Sequence, residues 1–128
     1  MNLEIRICTK QFLKEKKELQ EAIISSVKDL LERIQAYEKQ GVGFEKIFND
    51  DCVKYDKHGD FYTFKCHKGK FQLRIMYAYL TAVEEATIFV VDYFIKKKNN
   101  KKYIGKFDAW NKVNVVDACK NVYQTILI

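Results

Sequence analysis

The sequence predicts an α+β fold: a small antiparallel sheet of about four strands with a mixed edge, an N-terminal helical hairpin and a C-terminal helix. Three observations predict it. Lys10–Gln40 places apolar residues at spacings of three and four, the period of a helix with one buried stripe. The stretch around Lys68-Gly69 alternates apolar and polar residues on both sides, the period of two half-buried strands. Thr87–Ile95 is nearly continuously apolar, as a strand buried on both faces would be.

The composition agrees. At 128 residues and 48% hydrophobic, with nine Phe, eight Tyr and one Trp, residues 1–128 read as one domain with a real core. There is no proline and there are five glycines, so regular elements should dominate.

In order along the chain, Leu3, Ile5 and Ile7 alternate with Glu4, Arg6 and Cys8, a short strand with one wet face. Thr9 is a candidate helix cap. Leu19, Ile23, Val27, Leu30, Ile34 and Tyr37 form the helical stripe, widened by Ile24 and Leu31. One unbroken helix is expected, although β-branched residues crowd Ser25 and Ser26. Gly41-Val42-Gly43 should end it, and Phe44, Ile47 and Phe48 fit a second, two-turn helix. Polar turns follow at Asn49–Asp51 and Asp56–Asp60, with His58 exposed and inert.

With Lys68-Gly69 as a two-residue hairpin loop, His67 pairs with Lys70, Lys65 with Gln72 and Thr63 with Arg74. One face is then apolar (Tyr62, Phe64, Cys66, Phe71, Leu73, Ile75). The other holds Thr63, Lys65, His67, Lys70, Gln72 and Arg74. Asp92 interrupts the third strand. It is either satisfied by a nearby lysine or arginine or is functional. Lys96–Lys102 places five lysines in seven positions and reads as a loop. Asp108 is positioned to cap a last helix over about 109–126, although its valines make it depend on packing.

Charge is unevenly spread. Residues 1–53 hold nine Lys and Arg against ten Asp and Glu, whereas residues 54–128 hold fourteen against seven. The formal charge of +6 therefore belongs to the sheet half, and a basic field of this kind attracts nucleic acid, acidic proteins or anionic membranes. Charge alone gives equal weight to a merely solvated lysine surface. Neither histidine stands at metal-ligand spacing from Cys8, Cys52, Cys66 or Cys119, so no metal or cofactor is expected. The N-terminus lacks a signal-type apolar run and no stretch is long enough to span a membrane, which points to a cytoplasmic protein with reduced thiols.

Thr63-Phe64-Lys65, then Gly69-Lys70-Phe71-Gln72-Leu73-Arg74-Ile75-Met76-Tyr77, then Phe94-Ile95-Lys96-Lys97-Lys98 occur in an order and spacing that resemble the RelE/ParE superfamily of type II toxin–antitoxin toxins. The HigB-like, phage-type branch is nearest. The motifs cover residues 50–125 or so. The sequence departs from the pattern at Lys65, where an arginine is usual, and at Asn99-Asn100-Lys101-Lys102, where Thr-Pro is usual. The resemblance implies a RelE-like fold and a metal-independent endoribonuclease that cuts mRNA on the ribosome. It also implies a partner antitoxin, of helix-turn-helix type. A ParE-like toxin acting on gyrase, or a noncatalytic binding module on the same scaffold, are the alternatives.

The residues fit such chemistry. Cleavage through a 2′-OH needs a base, an acid and cations for the developing phosphate charge. Arg74 is the best phosphate clamp, with Lys65 beside it. Lys70, Lys96, Lys97 and Lys98 are candidate RNA contacts. His67 is suited to proton transfer, or simply lies at a hairpin end. Tyr103 is a candidate for base stacking or proton transfer, and Asp92 a candidate orienting acid.

Overall fold

A computed structural model describes residues 2–41, 57–58, 60–82, 85–96 and 109–128. The fold is α+β. A six-stranded mixed sheet has the order β2-β3-β4-β5-β1-β6, with one long helix on one face. Its strands are β1 (Asn2–Ile7), the two-residue β2 (Lys57–His58), β3 (Phe61–Lys68), β4 (Phe71–Ala82), β5 (Glu85–Ile95) and β6 (Gln124–Leu127). All neighbours are antiparallel except β1 and β5, which run parallel. The expected second helix over residues 44–48 lies outside the described residues.

The N-terminal helix is not one unbroken element. A 3-10 turn, Lys10–Lys14, precedes α1 (Lys17–Lys39), and Glu15 and Lys16 between them are extended. The break is stabilised locally. The Gln20 side-chain amide donates to the carbonyls of Phe12 at 2.9 Å and Glu15 at 3.2 Å, tying the turn to the first turn of α1. Thr9 stands at the cap position but makes no side-chain cap bond. The Ser25-Ser26 stretch does not interrupt α1, because the buried Ser26 hydroxyl donates back to Ala22 O at 2.8 Å. Gly41, at φ 71°, ends the helix in the left-handed conformation that only glycine adopts without penalty. The predicted stripe is the buried face: Leu19, Ile23, Val27, Leu30, Leu31 and Ile34 pack on Ile5, Ile7, Phe64, Leu73, Ile75, Ile88 and Val90.

The β3–β4 hairpin forms in a register two residues from the expected one. Its loop is Gly69-Lys70, with Gly69 at φ 57°, and the pairs are Lys68 with Phe71, His67 with Gln72, Lys65 with Arg74 and Thr63 with Met76. Positive φ belongs inside the turn, so glycine takes the first loop position and displaces Lys68 into the strand. A shift of two preserves side-chain parity. Phe64, Cys66, Leu73 and Ile75 therefore still face α1, as the alternation requires.

β5 is the central strand, buried from Ala86 to Val91. Its pairing with β4 contains a bulge: Tyr77 pairs with Val90 and Met76 with Asp92, leaving Val91 over. Before the bulge Ala86, Ile88 and Val90 face α1; after it Tyr93 and Ile95 do. Without the extra residue Asp92 would continue the Ile88–Val90 parity into the apolar core.

The expected C-terminal helix does not form. The segment is a 3-10 turn (Ala109–Lys112), a five-residue helix α2 (Val115–Cys119) and the edge strand β6. Asn114 caps α2, its side chain accepting from the amides of Val116 at 2.9 Å and Asp117 at 3.3 Å. Beyond it Thr125 and Ile126 are β-branched and pair with Arg6 and Ile5 of β1, so strand pairing outcompetes a helix with weak intrinsic propensity. The turn and α2 cover part of the sheet face remote from α1, where Trp110, Val115, Ala118 and Cys119 meet Phe61, Met76, Ala78, Phe89 and Val91.

Candidate nucleic-acid interface

The remote face is divided. Its dry part is the cluster under Trp110 and α2. Its wet part begins where β3, β4 and β5 run toward the hairpin loop. The registers set a grid: Lys65–Arg74–Phe94 across one row, and His67–Gln72–Lys96 across the next. The Lys96 amide donates to Gln72 O at 2.7 Å, which fixes the end of the second row. With strands about 4.8 Å apart and same-face residues about 7 Å apart, the grid covers roughly 10 by 7 Å. A third row, Thr63–Met76–Asp92, leads into the dry part.

Burial falls in the same direction. Thr63 and Met76 are buried, Arg74, Asp92 and Phe94 are half-buried, and Lys65, His67, Gln72 and Lys96 are exposed. The Arg74 guanidinium is oriented by donation from Nη1 to Leu73 O at 3.1 Å. Lys65 lies directly opposite it, so the two cationic residues are cross-strand neighbours.

The hairpin lysines on the other face behave differently. Lys68 forms an ion pair with Asp29 of α1, and Lys70 one with Glu18 at 3.1 Å. The Lys70 ammonium also lies 5.4 Å from the centroid of the Phe71 ring. Lys70 is therefore a turn residue held toward α1, and its expected place on the basic face is corrected; the Gly69-Lys70 loop removes it from strand alternation. Among the described residues the side chains of Lys65, His67 and Lys96 make no ion pair or hydrogen bond.

Asp92 is oriented by groups that no short spacing reveals. Its Oδ1 accepts from the Tyr93 amide at 2.9 Å and its Oδ2 from the Trp110 indole at 3.2 Å. Trp110 in turn stands edge-on to Phe61, with ring centroids 5.1 Å apart. Asp92 is diagonal to Arg74 on the same face, a separation that long side chains span. Sequence reasoning missed Trp110, which falls within the expected helix over 109–126, and gave Phe94 no role in the site. Only the register places Phe94 beside Arg74.

The structure thus brings together Lys65, His67, Arg74, Asp92 and Lys96. Lys70 stands apart. Lys97, Lys98 and Tyr103 lie outside the described residues. Among those residues no cluster of three or more His, Cys, Asp or Glu could hold a metal ion, and no helix is long and apolar enough to cross a membrane. No family model matches the chain, and neither does any curated protein or solved structure.

Proposed function

We propose that this chain is an RNA-cleaving toxin of a type II toxin–antitoxin system, acting on mRNA through the basic sheet face without a metal ion. The observation that carries the reading is the segregation of cations. Lys68 and Lys70 are neutralised by α1, while Lys65, Arg74 and Lys96 share one face with an imidazole. The order of the sheet motifs adds the toxin setting. A phosphate seated over Lys65 and Arg74 has its developing charge met by an ammonium and a guanidinium. His67, two residues from Lys65 on the same strand face, is the proton-transfer group nearest that seat. Asp92, held by Trp110 and diagonal to Arg74, is the acid placed to orient it. Phe94 offers a ring for a base next to the phosphate. An antitoxin that blocks this face carries acidic residues into it.

Induced expression with transcript-end mapping tests the reading. Wild-type protein is expected to arrest growth and to generate new mRNA ends. Arg74→Ala and Lys65→Ala, shown to be folded by thermal melting, should each reduce cleavage by about two orders of magnitude. Arrest without new ends overturns the nuclease and favours a ParE-like action on gyrase. A folded wild-type protein that arrests nothing leaves a binding module.

A further inference from the structure

Two of the described cysteines sit together on the sheet face remote from α1, far apart in sequence. Cys8 follows the last residue of β1, and its amide donates to Val90 O at 2.8 Å. The preceding carbonyl, of Ile7, accepts from the Tyr123 amide at 2.8 Å. Cys8 is thus fixed between β5 and the chain leading into β6. Cys119 is the last residue of α2. The Cys8 thiol lies 3.9 Å from Cys119 O across 111 residues of sequence, and both residues are half-buried in the apolar cluster with Phe61, Val91 and Trp110.

We propose that Cys8 and Cys119 form a redox-modification site, closing as an intramolecular disulfide that ties α2 to the end of β1 when the chain meets a disulfide oxidant such as oxidised glutathione. The site is independent of the RNA reading. Chemistry assigns the order of events. A side-chain hydrogen bond from the Cys119 thiol to the Cys8 sulfur lowers the Cys8 pKa, burial opposes this, and the Arg6 guanidinium adds to the lowering. The same hydrogen bond and burial raise that of Cys119. Cys8 is therefore the attacking thiolate and Cys119 the resolving thiol.

The Cys8 thiolate attacks one sulfur of the oxidant, breaking its S–S bond and releasing one glutathione thiolate, which takes up the proton that Cys8 lost. Cys119, deprotonated in turn, attacks the Cys8 sulfur of the mixed disulfide and expels the second glutathione, which takes that proton. The protein gives up two electrons and two protons, and the oxidant is reduced to two thiols. Cys66 is excluded by position. It lies on the α1 side of the sheet, packed against that core, and burial pushes its thiol pKa up.

The consequence is mechanical. The turn and α2 are the cover of the dry half of the face, and a bond to β1 pins that cover beside the basic grid. The test incubates the full chain with excess oxidised glutathione, then maps disulfides by mass spectrometry after alkylation of free thiols. The expected result is the loss of two hydrogens and a peptide joining Cys8 to Cys119, reversed by dithiothreitol. A higher melting temperature should accompany it. Cys66→Ser should retain the bond, whereas Cys119→Ser should leave Cys8 as a mixed disulfide with glutathione. Reduced thiols at both positions, or linkage of either cysteine to Cys52 or to a second chain, overturns the proposal. The wild-type map decides this even if a variant misfolds.

Discussion

Tyr79 and Tyr93 stand at two ends of the helix-facing sheet surface and use one device. Each packs its ring on the core and donates its hydroxyl to a glutamate at the rim, Tyr79 to Glu38 at 2.9 Å and Tyr93 to Glu15 at 2.8 Å. Burial and then the Glu38 carboxylate push Tyr79 up from 10.0 to about 12, and burial and Glu15 raise Tyr93 in the same direction. A folded-state pKa above the unfolded one means stability that is full below pH 10 and is lost as pH rises through 12. Denaturant melts across that window should show the wild type losing stability, with Tyr79→Phe losing less of it. Trp110 invites a second measurement, because it is the single tryptophan of the chain. Trp110→Phe removes the indole donor to Asp92 and should destabilise by about 1–3 kcal/mol in equilibrium unfolding. In the wild type, Trp110 emission should shift to the red as the cover over Phe61 opens.

Elements show which parts of the fold were legible in the sequence. The apolar stripe of α1 and the alternation of β3 and β4 were readable because a helix period and a strand period leave direct marks. The hairpin loop was misplaced by one position at each strand end, yet the faces came out right, because two-residue shifts leave parity unchanged. The phase change at Asp92 was not readable; nothing in Thr87–Ile95 announces which residue is extra. The C-terminal segment was misread because Val113, Val116 and Val122 mimic a helical stripe, while the partner that makes β6 a strand lies more than a hundred residues away in β1. Gly69 is a direct check on the hairpin. A Cβ there meets nothing within 4 Å, so only the backbone resists. Gly69→Ala should lower stability by about 1–2 kcal/mol without altering the fold, read from denaturant midpoints. The core beneath should be less forgiving: Ile75→Ala, at a fully buried position, should cost about 2–5 kcal/mol in the same assay.

At the scale of the molecule, the sheet sorts charge between its faces. The helix side absorbs Lys68 and Lys70 into ion pairs with α1, and the remote side carries the exposed Lys65 and Lys96 with the half-buried Arg74. The basic excess of residues 54–128 foretold a cationic surface, but composition could not say which lysines were neutralised, since their partners Glu18 and Asp29 lie in the acidic half of the chain. The candidate site was legible as a list of types, and only the register turned it into neighbours. The most direct measurement is the Kd of the full chain for single-stranded RNA as a function of salt. It compares Lys65→Ala and Arg74→Ala with Lys68→Ala and Lys70→Ala. The expected result is weaker binding for the first pair, each with a salt slope reduced by about 0.7, and near-wild-type binding for the second. Equal losses from both pairs, or binding that no remote-face substitution changes, would contradict the account.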